Sequence, residues 1–159
     1  MKYFIIFLDF DGVIITPRAM LVREKPGGMY AFDPIAIKIL NRICKLKENV
    51  RVVVSSVWRS KNVTEILYAA GFSGHFFNIN SKSHPYKFPE GHITGSHRDS
   101  RGEEIHEWYE TYKEYVEDFL ILDDESGFLD YQIPKHIKTD IHNGIGFQDY
   151  FTAEKMILK

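Results

Sequence analysis

Short runs of apolar residues recur along the chain, separated by stretches in which apolar residues have helical spacing. Nearly continuous apolar runs are typical of strands buried on both faces, as in parallel sheets. Five such runs predict five strands, at residues 3–8 (YFIIFL), 51–56 (RVVVSS), 75–79 (HFFNI), 119–123 (FLILD) and 136–139 (HIKT).

The intervening stretches predict amphipathic helices. Residues 33–47 open with Asp33 as the N-cap and Pro34 in the first helical position. A second helix is expected between Ser60, as its cap, and Gly71. A third runs through residues 101–119, with its apolar face extending to Val116, and a terminal helix should pack Phe151, Met156 and Ile157 on the sheet.

This alternation predicts an α/β fold, a three-layer α/β/α sandwich around a Rossmann-like, mostly parallel five-stranded sheet. The length of 159 residues suits a single domain spanning 1–159. In such sheets the ligand site lies beyond the carboxyl ends of the strands. Residues 15–32 and 80–100 lack the pattern and are expected to form loops or small hairpins, so no large cap domain is predicted.

Composition narrows the possible partners. Twenty basic and 22 acidic residues give a formal net charge of −2, which excludes a general electrostatic binder of nucleic acids. Residues 80–100 do mix basic and aromatic side chains, which suits a nucleotide or single-stranded nucleic acid, although a solvated loop gives the same pattern. The single cysteine, Cys44, cannot form an internal disulfide, and the first apolar run is too short to cross a membrane. We therefore expect a cytoplasmic protein without membrane association.

Acidic and hydroxyl side chains follow three of the predicted strands. Carboxyl ends of neighbouring parallel strands converge, and close carboxylates repel each other unless a cation lies between them. Magnesium prefers oxygen ligands and uses few carboxylates, so Mg²⁺ is the predicted cofactor. The residues concerned are Asp9 and Asp11, Ser55 and Ser56, and Asp123 and Asp124.

This arrangement suits phosphoryl transfer. Asp9 is the predicted nucleophile, which would form an aspartyl-phosphate intermediate. Asp11 lies two residues further on, on the same side of an extended chain, and is predicted to be the general acid and base. Gly12 allows a sharp turn after it.

Four motifs occur in the order typical of one family: DFDGV, VVVSS, a basic residue that opens a late helix, and ILDD. In this the chain resembles the haloacid dehalogenase-like (HAD) superfamily of Mg²⁺-dependent phosphohydrolases. The resemblance implies that Ser55 binds the phosphate, with Ser56 as the alternative. It also implies a metal site at Asp9, Asp123 and Asp124, to which Asp11 would add its backbone carbonyl.

The resemblance does not decide which residue of this chain takes the role of the basic residue of the family. The family usually has a lysine at the start of the late helix, where this chain has Arg101, and Arg98 and Lys87 are possible substitutes. An arginine would hold the phosphate as a fork rather than as a point charge. Arg59 is expected either to bind a phosphate or to pair with a carboxylate. The predicted substrate-binding residues are Gly12, Ser56, Arg59 and Arg98.

A closer resemblance is carried by SSVWRS, RGEEIHEW, LDDES and KTDIHNGI. These motifs are similar to the HAD domains associated with RNA repair proteins and, in outline, to the phosphatase domain of polynucleotide kinase. The implied substrate is a phosphate monoester on a nucleotide or at an RNA or DNA end. A phosphoprotein phosphatase would share these residues. A receiver-like regulatory domain is the other alternative, although in receivers the acid pair comes first along the chain.

Overall fold

A computed structural model describes residues 1–21, 32–59, 62–79, 90–95 and 100–159. The described strands are β1 (Tyr3–Leu8), β2 (Val50–Val54), β3 (Val116–Asp123) and β4 (His136–Lys138). They form a parallel sheet with the order β2-β1-β3-β4. The central position of β1 between β2 and β3 places the end of the first strand in the middle of the sheet edge.

Five α-helices lie among the described residues: α1 (Pro17–Leu21), α2 (Pro34–Cys44), α3 (Val63–Ala69), α4 (Arg101–Tyr112) and α5 (Phe147–Ile157). The predicted Asp33 cap is confirmed, since its side chain accepts hydrogen bonds from the backbone N–H groups of Ile35 and Ala36. At α4 the Ser100 side chain accepts from the Glu103 N–H. Both caps satisfy N–H groups that have no partner within the helix.

Helices cover both faces of the sheet, which confirms the three-layer sandwich. Successive side chains of a strand point to opposite faces. Phe4, Ile6 and Leu8 of β1 therefore pack in a core with α2 and α5. Ile5 and Phe7 pack in a second core with Ile105 and Trp108 of α4. In the described part of the chain, no helix is long and apolar enough to span a bilayer.

The prediction of a fifth strand at residues 75–79 is wrong for the described structure. The segment makes a single parallel bridge, between Phe76 and Val52. One step along the same edge, Ile93 forms the bridge to Val54. Two short segments thus share the edge of β2, and neither pairs for long enough to form a strand.

The third predicted helix is also shorter than expected. Helix α4 ends at Tyr112, a 3-10 turn follows at Lys113–Tyr115, and Val116 begins β3 instead of extending the helix face. Val116 pairs with Tyr3 at the start of β1, so sheet pairing overrides the helical spacing of the sequence. In α5, Phe151 is exposed, and the helix packs through Ala153 and Ile157.

Residues 60–61 and 96–99 lie outside the described part, as do residues 22–31 and 80–89. The predicted Ser60 cap and most of the basic, aromatic stretch of residues 80–100 therefore lie outside it. Helix α3 begins at Val63, and Asn62 is the residue at its N-cap position.

Candidate active site

The ends of β1, β2 and β3 bring the predicted residues together at one edge of the sheet. Leu8 pairs with Val54 on one side and with Leu122 on the other. The pairing continues one residue further, because the Asp9 N–H donates to the Leu122 carbonyl at 3.0 Å and the Ser55 N–H donates to the Leu8 carbonyl at 2.9 Å. Asp9 is thus held between the other two strand ends, as the sequence predicts.

Three carboxylates form a compact group suited to a cation. Asp9, Asp123 and Asp124 each offer an oxygen, and these oxygens lie within 4.8 Å of one another. Asp9 and Asp123 are buried, at 5% and 1% exposure. An all-oxygen donor set with buried charge suits a hard cation such as Mg²⁺. The Asp11 carboxylate is not in this group, and the contribution of its backbone carbonyl remains a prediction.

Burial and mutual repulsion disfavour the ionised forms of these carboxyl groups, and a bound cation would offset both effects. Burial, followed by the neighbouring Asp123 carboxylate, raises the pKa of Asp9 from 3.8 to about 7. Burial likewise raises the pKa of Asp123 to about 6. The Ser56 hydroxyl and Arg101 partly oppose the shift at Asp9. Without a metal, the protein therefore holds ionised carboxylates here at a cost in stability.

Asp11 has a different environment. It is exposed, and its Oδ2 accepts a hydrogen bond of 2.7 Å from the indole N–H of Trp58. A carboxyl group that is held in place and open to solvent suits exchange of a proton with a leaving group or with water. Trp58 belongs to the SSVWRS motif, but nothing in that motif predicts that its indole contacts Asp11.

Gly12 fits the site for two steric reasons. Its φ of +70° is in the left-handed region, and a Cβ built there would lie 2.5 Å from Cγ of Asp124. In addition, the Thr139 hydroxyl donates to the Gly12 carbonyl at 2.7 Å. The glycine lets the loop after β1 pass directly against a member of the carboxylate group. Its predicted contact with substrate remains a prediction.

We expect Gly12→Ala to lower the free energy of unfolding by about 1–3 kcal/mol and to weaken Mg²⁺ binding, because Asp124 must move. Thermal unfolding and a Mg²⁺ titration measure the two effects. Gly127→Ala is the matched control, since Gly127 also has positive φ, at +107°, but no atom lies within 4 Å of its Cβ position. Equal loss of Mg²⁺ affinity in both variants would contradict the steric explanation.

The two serines after β2 differ in their hydrogen bonding. Both are buried. The Ser55 hydroxyl has no partner among the described residues, whereas the Ser56 hydroxyl lowers the pKa of Asp9 by hydrogen bonding and also accepts from the Trp58 backbone N–H. A buried hydroxyl without a partner is costly unless a ligand satisfies it. This favours Ser55 as the phosphate-binding serine.

Arg101 lies against the carboxylate group from the start of α4. Its Nη2 is 3.8 Å from Oδ1 of Asp9, and its Nε is 3.5 Å from Oδ2 of Asp123. A guanidinium there suits the predicted place of the family lysine. The possible substitutes Arg98 and Lys87 lie outside the described residues.

Arg59 pairs with a carboxylate, which is one of the two roles that the sequence left open. Its Nη2 donates to Oε2 of Glu104 at 2.7 Å. Its Nε and Nη1 donate to the carbonyl oxygens of Ser56 and Gly95, both at 2.6 Å. A phosphate would have to displace these groups, so the geometry does not favour the predicted substrate contact.

Glu104 is the residue that sequence reasoning missed. Glu104 is only 6% exposed and contacts both Arg59 and Arg101, so it faces the site and not solvent. Its position three residues after Arg101 was the available signal, because residues at this spacing are neighbours on a helix. Asp140 accepts from the backbone N–H groups of His142 and Asn143, so it caps its loop.

Comparisons with known proteins agree with this geometry. A family model described as the HAD domain in Swiss Army Knife RNA repair proteins matches residues 5–149. Searches of the curated proteins and of the solved structures returned no significant match.

Proposed function

Because the chain belongs to the family of HAD domains found in Swiss Army Knife RNA repair proteins, we propose that it is a Mg²⁺-dependent phosphatase that acts on nucleic-acid ends or nucleotides. The observation that carries this proposal is the meeting of Asp9, Asp123 and Asp124 with Arg101 at one sheet edge. The unpartnered hydroxyl of Ser55 supports it, since a phosphate oxygen could satisfy that group.

The proposed reaction has two steps. A carboxylate oxygen of Asp9 attacks phosphorus, the ester P–O bond breaks, and Asp11 gives its proton to the leaving oxygen. Asp11 then accepts a proton from a water molecule whose oxygen attacks the phosphorus of the aspartyl-phosphate. The bond from phosphorus to Asp9 breaks, which releases inorganic phosphate and restores both carboxyl groups.

The remaining residues are assigned roles in binding. Asp9, Asp123 and Asp124 would hold Mg²⁺, which neutralises carboxylate charge and polarises a phosphate oxygen when bound. Arg101 and Ser55 would hold the other phosphate oxygens by charge-assisted and neutral hydrogen bonds. The hydrogen bond from Trp58 would keep the Asp11 carboxyl oriented during both proton transfers.

A nucleic-acid end is favoured over a small sugar phosphate. The family description places such domains in RNA repair proteins. Burial raises the pKa of Asp124, and the positive charge of Lys138, which is exposed at the end of β4, partly opposes this shift. The ammonium group of Lys138 is thus near enough to the carboxylate group to act on it electrostatically. Such a cation suits the backbone of a polynucleotide whose terminal phosphate occupies the site.

A substrate panel tests the proposal. Phosphate release is measured with Mg²⁺ and with chelator, from 3′- and 5′-phosphorylated RNA and DNA oligonucleotides, nucleotides, an aryl phosphate, sugar phosphates and phosphopeptides. We expect Mg²⁺-dependent release with the highest kcat/KM on a phosphorylated oligonucleotide end. A sugar phosphate that outcompetes every nucleotide and oligonucleotide would contradict the proposed substrate, and preference for phosphopeptides would identify a phosphoprotein phosphatase.

A further inference from the structure

Glu104 lies between the two arginines of the site, Arg59 and Arg101. One oxygen, Oε2, is 2.7 Å from Nη2 of Arg59 and 3.3 Å from Nη1 of Arg101. All three residues are largely buried, and the exposed fraction of the side chain alone is 8% for Glu104, 11% for Arg59 and 13% for Arg101. Charges in such surroundings are strongly coupled, because solvent screens them little.

The guanidinium of Arg101 contacts acidic side chains on two sides. Nη1 faces Glu104, whereas Nε and Nη2 face Asp123 and Asp9. A guanidinium is planar and rigid, so a contact that fixes one nitrogen restricts the direction of the others. Glu104 is therefore placed to set the angle at which Arg101 faces the carboxylate group.

Glu104 is itself held in place by Arg59, a residue of the loop that follows β2. Arg59, which donates to Glu104, also donates to the carbonyl oxygens of Ser56 and Gly95. The start of α4 has a second anchor, because the buried Gln132 donates to the Gly102 carbonyl at 2.9 Å. Helix α4 is thus connected to the loop that carries the serines through Arg59 and Glu104.

We propose that Glu104 is a positioning residue that, held by Arg59, orients Arg101 toward the phosphate subsite. This inference rests on the proposed function, in which Arg101 binds the phosphate. In this scheme Glu104 acts on the phosphate through Arg101. A merely structural Glu104 would instead stabilise α4, for example by its favourable charge near the helix N-terminus.

The test is a double-mutant cycle on kcat/KM for release of phosphate from the best substrate of the panel. Glu104→Gln keeps the shape of the side chain and removes its charge, and we expect a loss of about 10- to 100-fold. Arg101→Met should cost about 100- to 1,000-fold. The double variant should be no slower than Arg101→Met alone, because Glu104 has nothing left to position. Additive losses would overturn the proposal.

A matched control and a conservative variant complete the cycle. Glu103→Gln removes the same charge from the same helical turn at an exposed position and should leave kcat/KM unchanged. Glu104→Asp keeps the charge on a shorter side chain and should recover part of the activity. A Glu104→Asp variant as slow as Glu104→Gln would contradict a role for the charge.

A second measurement separates this inference from the proposed function. Crystal structures of the wild type and of Glu104→Gln, without substrate, need no activity. We expect the Arg101 guanidinium to change its angle to Asp9 and Asp123 in the variant, because Glu104 no longer attracts Nη1. An unmoved guanidinium would overturn the positioning role, whereas an inactive wild type with a displaced guanidinium in the variant would overturn the proposed function alone.

Discussion

Replacing Asp9 with asparagine is expected to lower the turnover of the best phosphate substrate by at least about 10⁴-fold. The asparagine amide has nearly the same size as the carboxyl group but is not a nucleophile, so no aspartyl-phosphate forms. The loss should appear in kcat, measured as phosphate release at saturating Mg²⁺ and substrate. Substantial residual turnover would mean that Asp9 is not the nucleophile.

The same substitution should not unfold the protein. The pKa of Asp9 is raised to about 7, so near pH 8 the metal-free protein holds a buried charge that destabilises it. Removing this charge should therefore raise the Tm of the metal-free variant. Asp130→Asn, at an exposed aspartate, is the matched control and should change neither Tm nor turnover. A lower Tm in Asp9→Asn would undermine the interpretation of its lost activity.

The carboxylate group of the site can be predicted from the sequence, because its aspartates follow directly from the ends of predictable strands. Asp9 and Asp123 each end an apolar run, and parallel pairing through Leu8 then brings the strand ends together. The sequence alone therefore predicts the fold class and the carboxylate group.

The arginine cluster is not visible in the same way. Whether Glu104 faces solvent or the site depends on the rotation of α4 about its axis, which packing of Ile105 and Trp108 under the sheet decides. The contact of Trp58 with Asp11 likewise depends on the path of a loop. Competition between two segments for one edge of β2 explains why residues 75–79 do not form the predicted strand. Each of these outcomes is decided by tertiary contacts that no local pattern encodes.

Mg²⁺ is expected to stabilise the protein much more at about pH 8 than at about pH 5, and its removal should abolish phosphate release. The pKa values of Asp9 and Asp123 are raised in the folded protein, to about 7 and about 6, from 3.8. In the metal-free protein, the stability that these groups contribute is fully present below pH 3.8 and is lost as the pH rises through about 6 and 7. In the proposed site Mg²⁺ would bind the ionised carboxylates, so it should offset this loss at high pH and compete with protons at low pH.

Thermal unfolding with and without Mg²⁺ at the two pH values measures this effect. A Mg²⁺ concentration about 100 times the Kd contributes about 2.7 kcal/mol, which corresponds to a rise in Tm of about 8 °C. The double substitution Asp123→Asn and Asp124→Asn should raise the Tm of the metal-free protein near pH 8 and remove its response to Mg²⁺, whereas Asp130→Asn should retain the full response. An equal Mg²⁺ shift at both pH values, or an unchanged shift in the double variant, would place the metal outside this carboxylate group. The proposed chemistry would then lose its basis, because Asp9 would have to act as a nucleophile beside two carboxylates that no metal ion neutralises.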